Sequence, residues 1–255
     1  MRYKLLGDLT RHLGIYRQAR WLFRRTLYRE ELQTEKNDLK FYRSLLTKNA
    51  LVFDVGAKVG DKTRVFLKLC ARVVAFEPQP HCREELELRC GNTKRLTVIQ
   101  TALGPKKGTQ PLYISSRPGS SSLVPGWSKN LKSVIQVRVL TLDEMIREHG
   151  IPDYIKMDAE GYEHEILKGL TQPIPLVSFE YHRDKIRDPG GAFDCIEYLA
   201  TFGELLINAT PAEDLKWLYP AWMSKDSFLE VFPDKIPAPE SSHCGYGDIF
   251  VRVLT

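Results

Sequence analysis

The chain has 255 residues, 43% hydrophobic and 27% charged, enough for one large domain with a sizeable core and short for two. No apolar run approaches the roughly 18 residues of a transmembrane helix, and arginines interrupt every N-terminal stretch that could act as a signal peptide, so a cytoplasmic location is expected. Five cysteines with no C-x-x-C pair argue against a disulfide framework or a zinc site.

Charge is concentrated at the start. Residues 1–29 carry eight basic side chains against Asp8 alone, a net +7, whereas the whole chain is only +5. Ile15, Ala19, Leu22 and Thr26 share one helical face, with Arg17, Arg20 and Arg24 on the opposite one. Residues 1–48 therefore read as a basic helical extension. Its apolar stripe is expected to pack on the remaining domain, residues 49–255. Peripheral contact with an anionic membrane at the inner surface is the second reading.

Beyond it, strand and helix signals alternate. Strands are expected near 51–55, 72–77 and 96–101, with helices near 61–69 and 80–90 between them. Residues 104–139 break the rhythm. The run is rich in Gly, Pro and Ser, holds short strands at Leu112–Ile114 and Val134–Leu140, and reads as an insertion with a mobile lid at Ser115–Trp127. A helix from Thr141 to His149 follows, with Thr141 and Glu144 spaced as a capping box. A strand at Tyr154–Asp158, a helix at Tyr162–Leu170, a strand at Leu176–Glu180 and a helix near Phe193–Thr201 come next, then strands at Leu205–Ala209 and Asp248–Val253. Repeated βα units imply an α/β fold with a doubly wound, mostly parallel sheet.

Two of these units spell out a nucleoside site. The strand Leu51-Val52-Phe53 ends at Asp54, and Gly56 and Gly60 then allow a tight turn and close approach of backbone to ligand. The next strand ends at Glu77, 21 residues beyond Gly56, near the usual spacing from a glycine turn to the acid that binds ribose hydroxyls. The loop is D-x-G-x-x-x-G rather than G-x-G-x-x-G. An acid ahead of the first glycine would repel a pyrophosphate, which disfavours a nicotinamide dinucleotide. It suits a ligand with a cationic end, and S-adenosylmethionine carries both a sulfonium and an ammonium.

A third run, YIKMDAEGYEHEILKGL at 154–170, presents Asp158 at a strand end and opens the next helix at Glu160-Gly161. Ligands of open α/β sheets bind outside the carboxyl ends of strands, so Asp54, Glu77 and Asp158 face one crevice. DVGAKVGDKT, AFEPQP and IKMDAEGYEHEILKGL, with the serine-rich insertion between them, resemble the FkbM family of S-adenosylmethionine-dependent methyltransferases over residues 50–182. The resemblance implies a seven-stranded Rossmann-like sheet with a reversed last strand. It also implies methyl transfer, most often to oxygen, with a sugar hydroxyl on a glycan, glycolipid or glycosylated small molecule as the usual acceptor. It places Asp54, Gly56 and Gly60 at the methionine end of the cofactor, Glu77 at the ribose and Ala102 near the adenine. Ala57, Thr63, Pro78 and Asp158 complete the cofactor set. Family members often carry Asn where this loop has Lys58.

A sulfonium methyl is already activated, so the protein has mainly to align an acceptor and take its proton. Asp158 is the first candidate base, with Glu160 and His182 behind it; Glu180 ends the same strand as His182, and His164 reads as surface. Several carboxylates in one crevice could hold a divalent metal that acidifies the acceptor, although no ligand spacing requires one. Two alternatives stand: a non-catalytic S-adenosylmethionine-binding scaffold, and a methyltransferase acting on a peptide or nucleic acid. No nucleic-acid-binding motif accompanies the pI of 8.9.

Overall fold

The computed structural model describes residues 32–69, 71–117, 119–211, 215–235 and 245–254. The basic segment 1–29 lies outside them. Helix α1 spans 32–42 and leads into strand β1 (Leu51–Val55), helix α2 (Asp61–Lys68), β2 (Arg72–Phe76), α3 (Pro80–Cys90) and β3 (Leu96–Ile99). Then come β4 (Ala102–Leu103), β5 (Gly108–Ser115), β6 (Leu131–Leu140), α4 (Leu142–His149), β7 (Tyr154–Met157), α5 (Glu163–Leu167) and β8 (Leu176–His182). The chain closes with α6 (Ala192–Ala200), β9 (Glu204–Pro211), β10 (Met223–Ser224), α7 (Lys225–Lys235) and β11 (Tyr246–Leu254).

The main sheet runs β10-β9-β11-β8-β7-β1-β2-β3. Strands β3, β2, β1, β7 and β8 are mutually parallel, and β11 inserts antiparallel to both β8 and β9. The reversed last strand is thus present. Among the described residues the sheet has eight strands rather than the expected seven, because the two-residue β10 pairs antiparallel to β9 at the edge. A strand this short carries almost no hydrophobic pattern, so only its tertiary pairing defines it.

The insertion forms a second sheet, β4-β6-β5. The strand expected over 96–101 divides here, Leu96–Ile99 staying with β2 and Ala102–Leu103 pairing with β6. Strand β5 runs from Gly108 through Pro111 to Ser115 and β6 from Leu131 to Leu140, both longer than their sequence signals. Pro111 disguises β5, because a proline demotes a run that would otherwise read as strand. Helix α4 carries the expected capping box: the Thr141 side chain accepts from the Glu144 N–H, and the Glu144 side chain accepts from the Thr141 N–H.

Two apolar layers sandwich the sheet. On one face Phe53, Met157, Phe179 and Ile249 pack with residues of α4, α5, α6 and α7. On the other Val52, Tyr154 and Phe250 pack with Phe66 of α2, Leu86 of α3 and Phe41 and Tyr42 of α1. Tyr42 is fully buried and meets Phe66 edge-on at 5.0 Å between ring centroids, while Phe41 lies 5.4 Å from Phe250. Such aromatic contacts contribute about 0.5–1.5 kcal/mol each beyond their area. The end of the segment assigned to the extension thereby supplies core side chains. Salt bridges Asp38–Lys62 at 2.7 Å and Glu35–Arg64 at 2.7 Å, with Glu35–Lys68 beside them, tie α1 across α2. Among the described residues no helix is long and apolar enough to cross a membrane.

Candidate functional site

At the carboxyl ends of β1, β7 and β8 opens a cavity of ≈ 1160 Å³, roomy for a cofactor and an acceptor together. Strand alternation decides what faces it. Asp54 stands in register with Lys156, and Lys156 with Ser178. Two residues further along the same face come Asp158 and Glu180, and Asp248 stands opposite Glu180 on the antiparallel β11. One edge of the sheet thus carries a row of carboxylates on three neighbouring strands.

The turn after β1 begins with Gly56 at φ 75°, where Gly56 and Ala57 both donate their N–H groups to the Phe76 carbonyl. A Cβ on Gly56 would stand 1.9 Å from the Asp158 carbonyl oxygen, so the position has room for glycine only. Asp54 is buried at 1% exposure; its Oδ2 accepts the Thr63 hydroxyl at 2.5 Å, while its Oδ1 is buried with no partner. Burial raises the Asp54 pKa, partly offset by Lys156 and the Thr63 hydrogen bond. An orphaned carboxylate oxygen beside a glycine turn fits the cationic end of S-adenosylmethionine.

Glu77 is also buried, and both its oxygens are engaged: Oε2 accepts the Lys58 N–H at 2.8 Å and Oε1 the Gln79 N–H at 2.8 Å. Burial pushes its pKa up to about 7 against those hydrogen bonds. Each oxygen keeps a second acceptor site for a hydroxyl donor. Lys58 lies at φ 50°, in the left-handed region that Asn tolerates better than a long side chain.

The far end of the cavity belongs to β7, β8 and the turn between β7 and α5. Asp158 Oδ2 meets the Lys156 ammonium at 3.2 Å. Burial lowers the Lys156 pKa, but the carboxylates of Asp158, Asp54 and Asp248 outweigh it and hold the ammonium above its ordinary value. Lys156 went unassigned in the sequence, where it is a lone charge between Ile155 and Met157. A lysine inside a buried parallel strand is the signal that could have found it.

Glu160, at φ 54°, has its carbonyl hydrogen-bonded by the Ser122 hydroxyl at 2.7 Å and its Oε2 by the Trp127 indole N–H at 2.9 Å. The Trp127 ring lies on Gly161, where a Cβ would be 2.2 Å away, and the Lys185 ammonium sits 3.5 Å from a Trp127 ring centroid. The expected lid thus rests against the Glu160-Gly161 turn. His182 Nε2 lies 3.1 Å from Glu180 Oε2, and Glu160, Glu180 and His182 each bring a ligand-type atom within 4.8 Å of the others. Burial first, then Asp158, raises the Glu160 pKa; burial, then Asp158, Glu160 and Asp248, holds Glu180 far above the ordinary carboxylate range.

Of the residues expected from sequence, Asp54, Gly56, Ala57, Asp158, Glu160 and His182 line this cavity. Gly60, Thr63, Glu77, Pro78 and Ala102 are not among its lining residues. Gly60 caps α2 at φ 85°, Thr63 holds Asp54, and Ala102 pairs with Val139 in the second sheet. His164 lies on α5, its ring 6.3 Å from that of Tyr198, and is not among the lining residues either.

Residues 54–205 match the family model for the methyltransferase FkbM domain. The chain is 28% identical over 162 residues to methyltransferase sdnD of Sordaria araneosa, covering 50% of this chain and 62% of the relative. It is 25% identical over 154 residues to hexuronic acid methyltransferase AglP of Haloferax volcanii, covering 58% of this chain and 62% of that one. The chain thus spans under two thirds of the length of these curated relatives. Among solved structures, the precorrin-6y C5,15-methyltransferase of Geobacter metallireducens superposes with a TM-score of 0.44 at 13% identity, over 86% of this chain and 87% of that one.

Proposed function

The chain belongs to the FkbM family of S-adenosylmethionine-dependent methyltransferases, and from that premise we propose that it methylates a hydroxyl oxygen on a sugar, glycan or glycosylated small molecule. The observation that carries the reading is the position of Asp158. Its carboxylate opens into the same cavity as the Gly56 turn, and its main-chain oxygen fills the space a Gly56 side chain would need. When bound, S-adenosylmethionine supplies a methyl group already activated for transfer by its sulfonium. Asp54, Gly56 and Ala57 would hold its methionine end, and Glu77 its ribose hydroxyls.

The protein's remaining work is to orient the acceptor and receive its proton. Asp158 is the proton acceptor. Lys156 keeps one of its oxygens in place at 3.2 Å, while the side chain stays 43% exposed. Arg117, Lys129 and Lys185 line the same cavity and suit an acceptor that carries negative charge. The relative acting on hexuronic acid supports a sugar of that kind.

The test is turnover: the full chain is incubated with S-adenosylmethionine and a panel of neutral and anionic saccharides, and S-adenosylhomocysteine is measured with the mass of the product. A mass gain of one methyl on oxygen is expected. Tight cofactor binding without turnover on any acceptor would favour the scaffold reading instead.

A further inference from the structure

We propose that Glu160, Glu180 and His182 form a divalent-cation site at the acceptor end of the cavity, with Asp248 beside Glu180 as a further carboxylate. The inference deepens the proposed function and rests on its placing of the acceptor near Asp158. Two carboxylate oxygens and one imidazole nitrogen lie within 4.8 Å of one another, and all three side chains line the cavity. Ligand distances of about 2.0–2.6 Å put the ligands of a shared ion at most about 4–5 Å apart, so small side-chain adjustments close the set. A mixed carboxylate and imidazole donor set suits Mn²⁺ and, less strongly, Mg²⁺.

A separate observation comes from β11. Asp248 lines the same cavity and stands directly across from Glu180 in the antiparallel pair, and its side chain has no hydrogen-bond or salt-bridge partner among the described residues. Like charges directly opposite on neighbouring strands repel. The buried cation close by, Lys156, is bound to Asp158 at 3.2 Å and also faces Asp54 and Asp248. One ammonium thus serves several carboxylates, and the Glu160, Glu180 and Asp248 end of the row has a place for further positive charge. A divalent ion supplies it.

Chemically, an ion on these three side chains would keep coordination positions open to the cavity. Acceptor oxygens entering them would be oriented, and a bound hydroxyl would become more acidic. Its O–H proton then passes to the Asp158 carboxylate.

Mn²⁺ added alone to the full chain, followed by electron paramagnetic resonance of the free ion and by calorimetry, tests the site. Saturable binding of one Mn²⁺ per chain is expected, weakened about tenfold or more by Glu180→Gln and by His182→Ala. S-adenosylhomocysteine binding retained in both variants verifies their fold. Should either lose it, Glu160→Gln and Asp248→Asn take its place in the same measurement. No saturable Mn²⁺ binding to the unaltered chain, or binding that the variants leave unchanged, overturns the site. Absence of methyl transfer with Mn²⁺ binding intact would instead overturn the proposed function and leave the cation site standing.

Discussion

The two ends of the cavity use acidic residues in opposite ways. Around β1 and β2 the carboxylates are tied down: Asp54 by Thr63, and Glu77 by the backbone N–H groups of Lys58 and Gln79. Around β7, β8 and β11 they crowd one another, with Lys156, His182 and the Trp127 indole as partners, and Asp248 has no side-chain hydrogen bond among the described residues. A carboxylate fixed by hydrogen bonds is a recognition element, because its geometry is settled before the ligand arrives. A crowded row short of positive charge is primed to take up a proton or a cation, and this is the end where chemistry is expected.

Four measurements would break or sharpen that contrast. The largest effect is expected from Asp158→Asn, which should lower turnover by about 10²–10⁴-fold while leaving cofactor affinity nearly unchanged. Full activity in that variant would reduce Asp158 to a partner of Lys156. Gly56→Ala should act on the other end, destabilising the fold by about 1–3 kcal/mol through the clash with the Asp158 carbonyl and abolishing cofactor binding, as thermal melts and calorimetry would report. An unaltered melting temperature would mean that the turn relaxes freely.

Glu77→Ala should cost about 1.5–3 kcal/mol of cofactor affinity, roughly ten- to a hundredfold, with turnover at saturating cofactor largely kept. The same residue sets a pH dependence. With its pKa pushed up to about 7, Glu77 carries a proton below that pH and must lose it to accept two ribose hydroxyls. Cofactor affinity should therefore rise as pH climbs through about 7 and level off above, and Glu77→Gln should flatten the profile. The sign for stability is opposite. The folded-state pKa lies above the ordinary 4.5, so the ligand-free fold loses stability as pH rises from about 4.5 to 7. Melting temperatures that fall less steeply over that window in the Glu77→Gln variant than in the unaltered chain would confirm the source, the raised Asp54, Glu160 and Glu180 carrying the remaining slope.

The smallest effect is expected from Trp127→Phe. It removes the indole N–H given to Glu160 and keeps most of the ring on Gly161, so about 0.5–1.5 kcal/mol of loop docking should be lost. Faster hydrogen exchange over 115–130 would show it; unchanged exchange would mean that the Ser122 hydroxyl on the Glu160 carbonyl suffices.

The amino-acid order alone determined whatever depends on local pattern. Apolar runs ending in Asp54, Glu77 and Asp158 marked β1, β2 and β7, Thr141 and Glu144 announced the start of α4, and the glycine turn identified the cofactor class. These signals are short-range, because a strand end, a cap or a tight turn is set by a few consecutive residues. Tertiary structure alone decided the rest. Strand β10 exists only through its pairing with β9, and Lys156 becomes the cation of the site only because strand register sets it beside Asp54. Asp248 joins Glu180 from 68 positions further along the chain, through the antiparallel insertion of β11. No local rule connects such positions. Side-chain electrostatics depend on distance in space, and only the order of strands in the sheet converts separation along the chain into that distance.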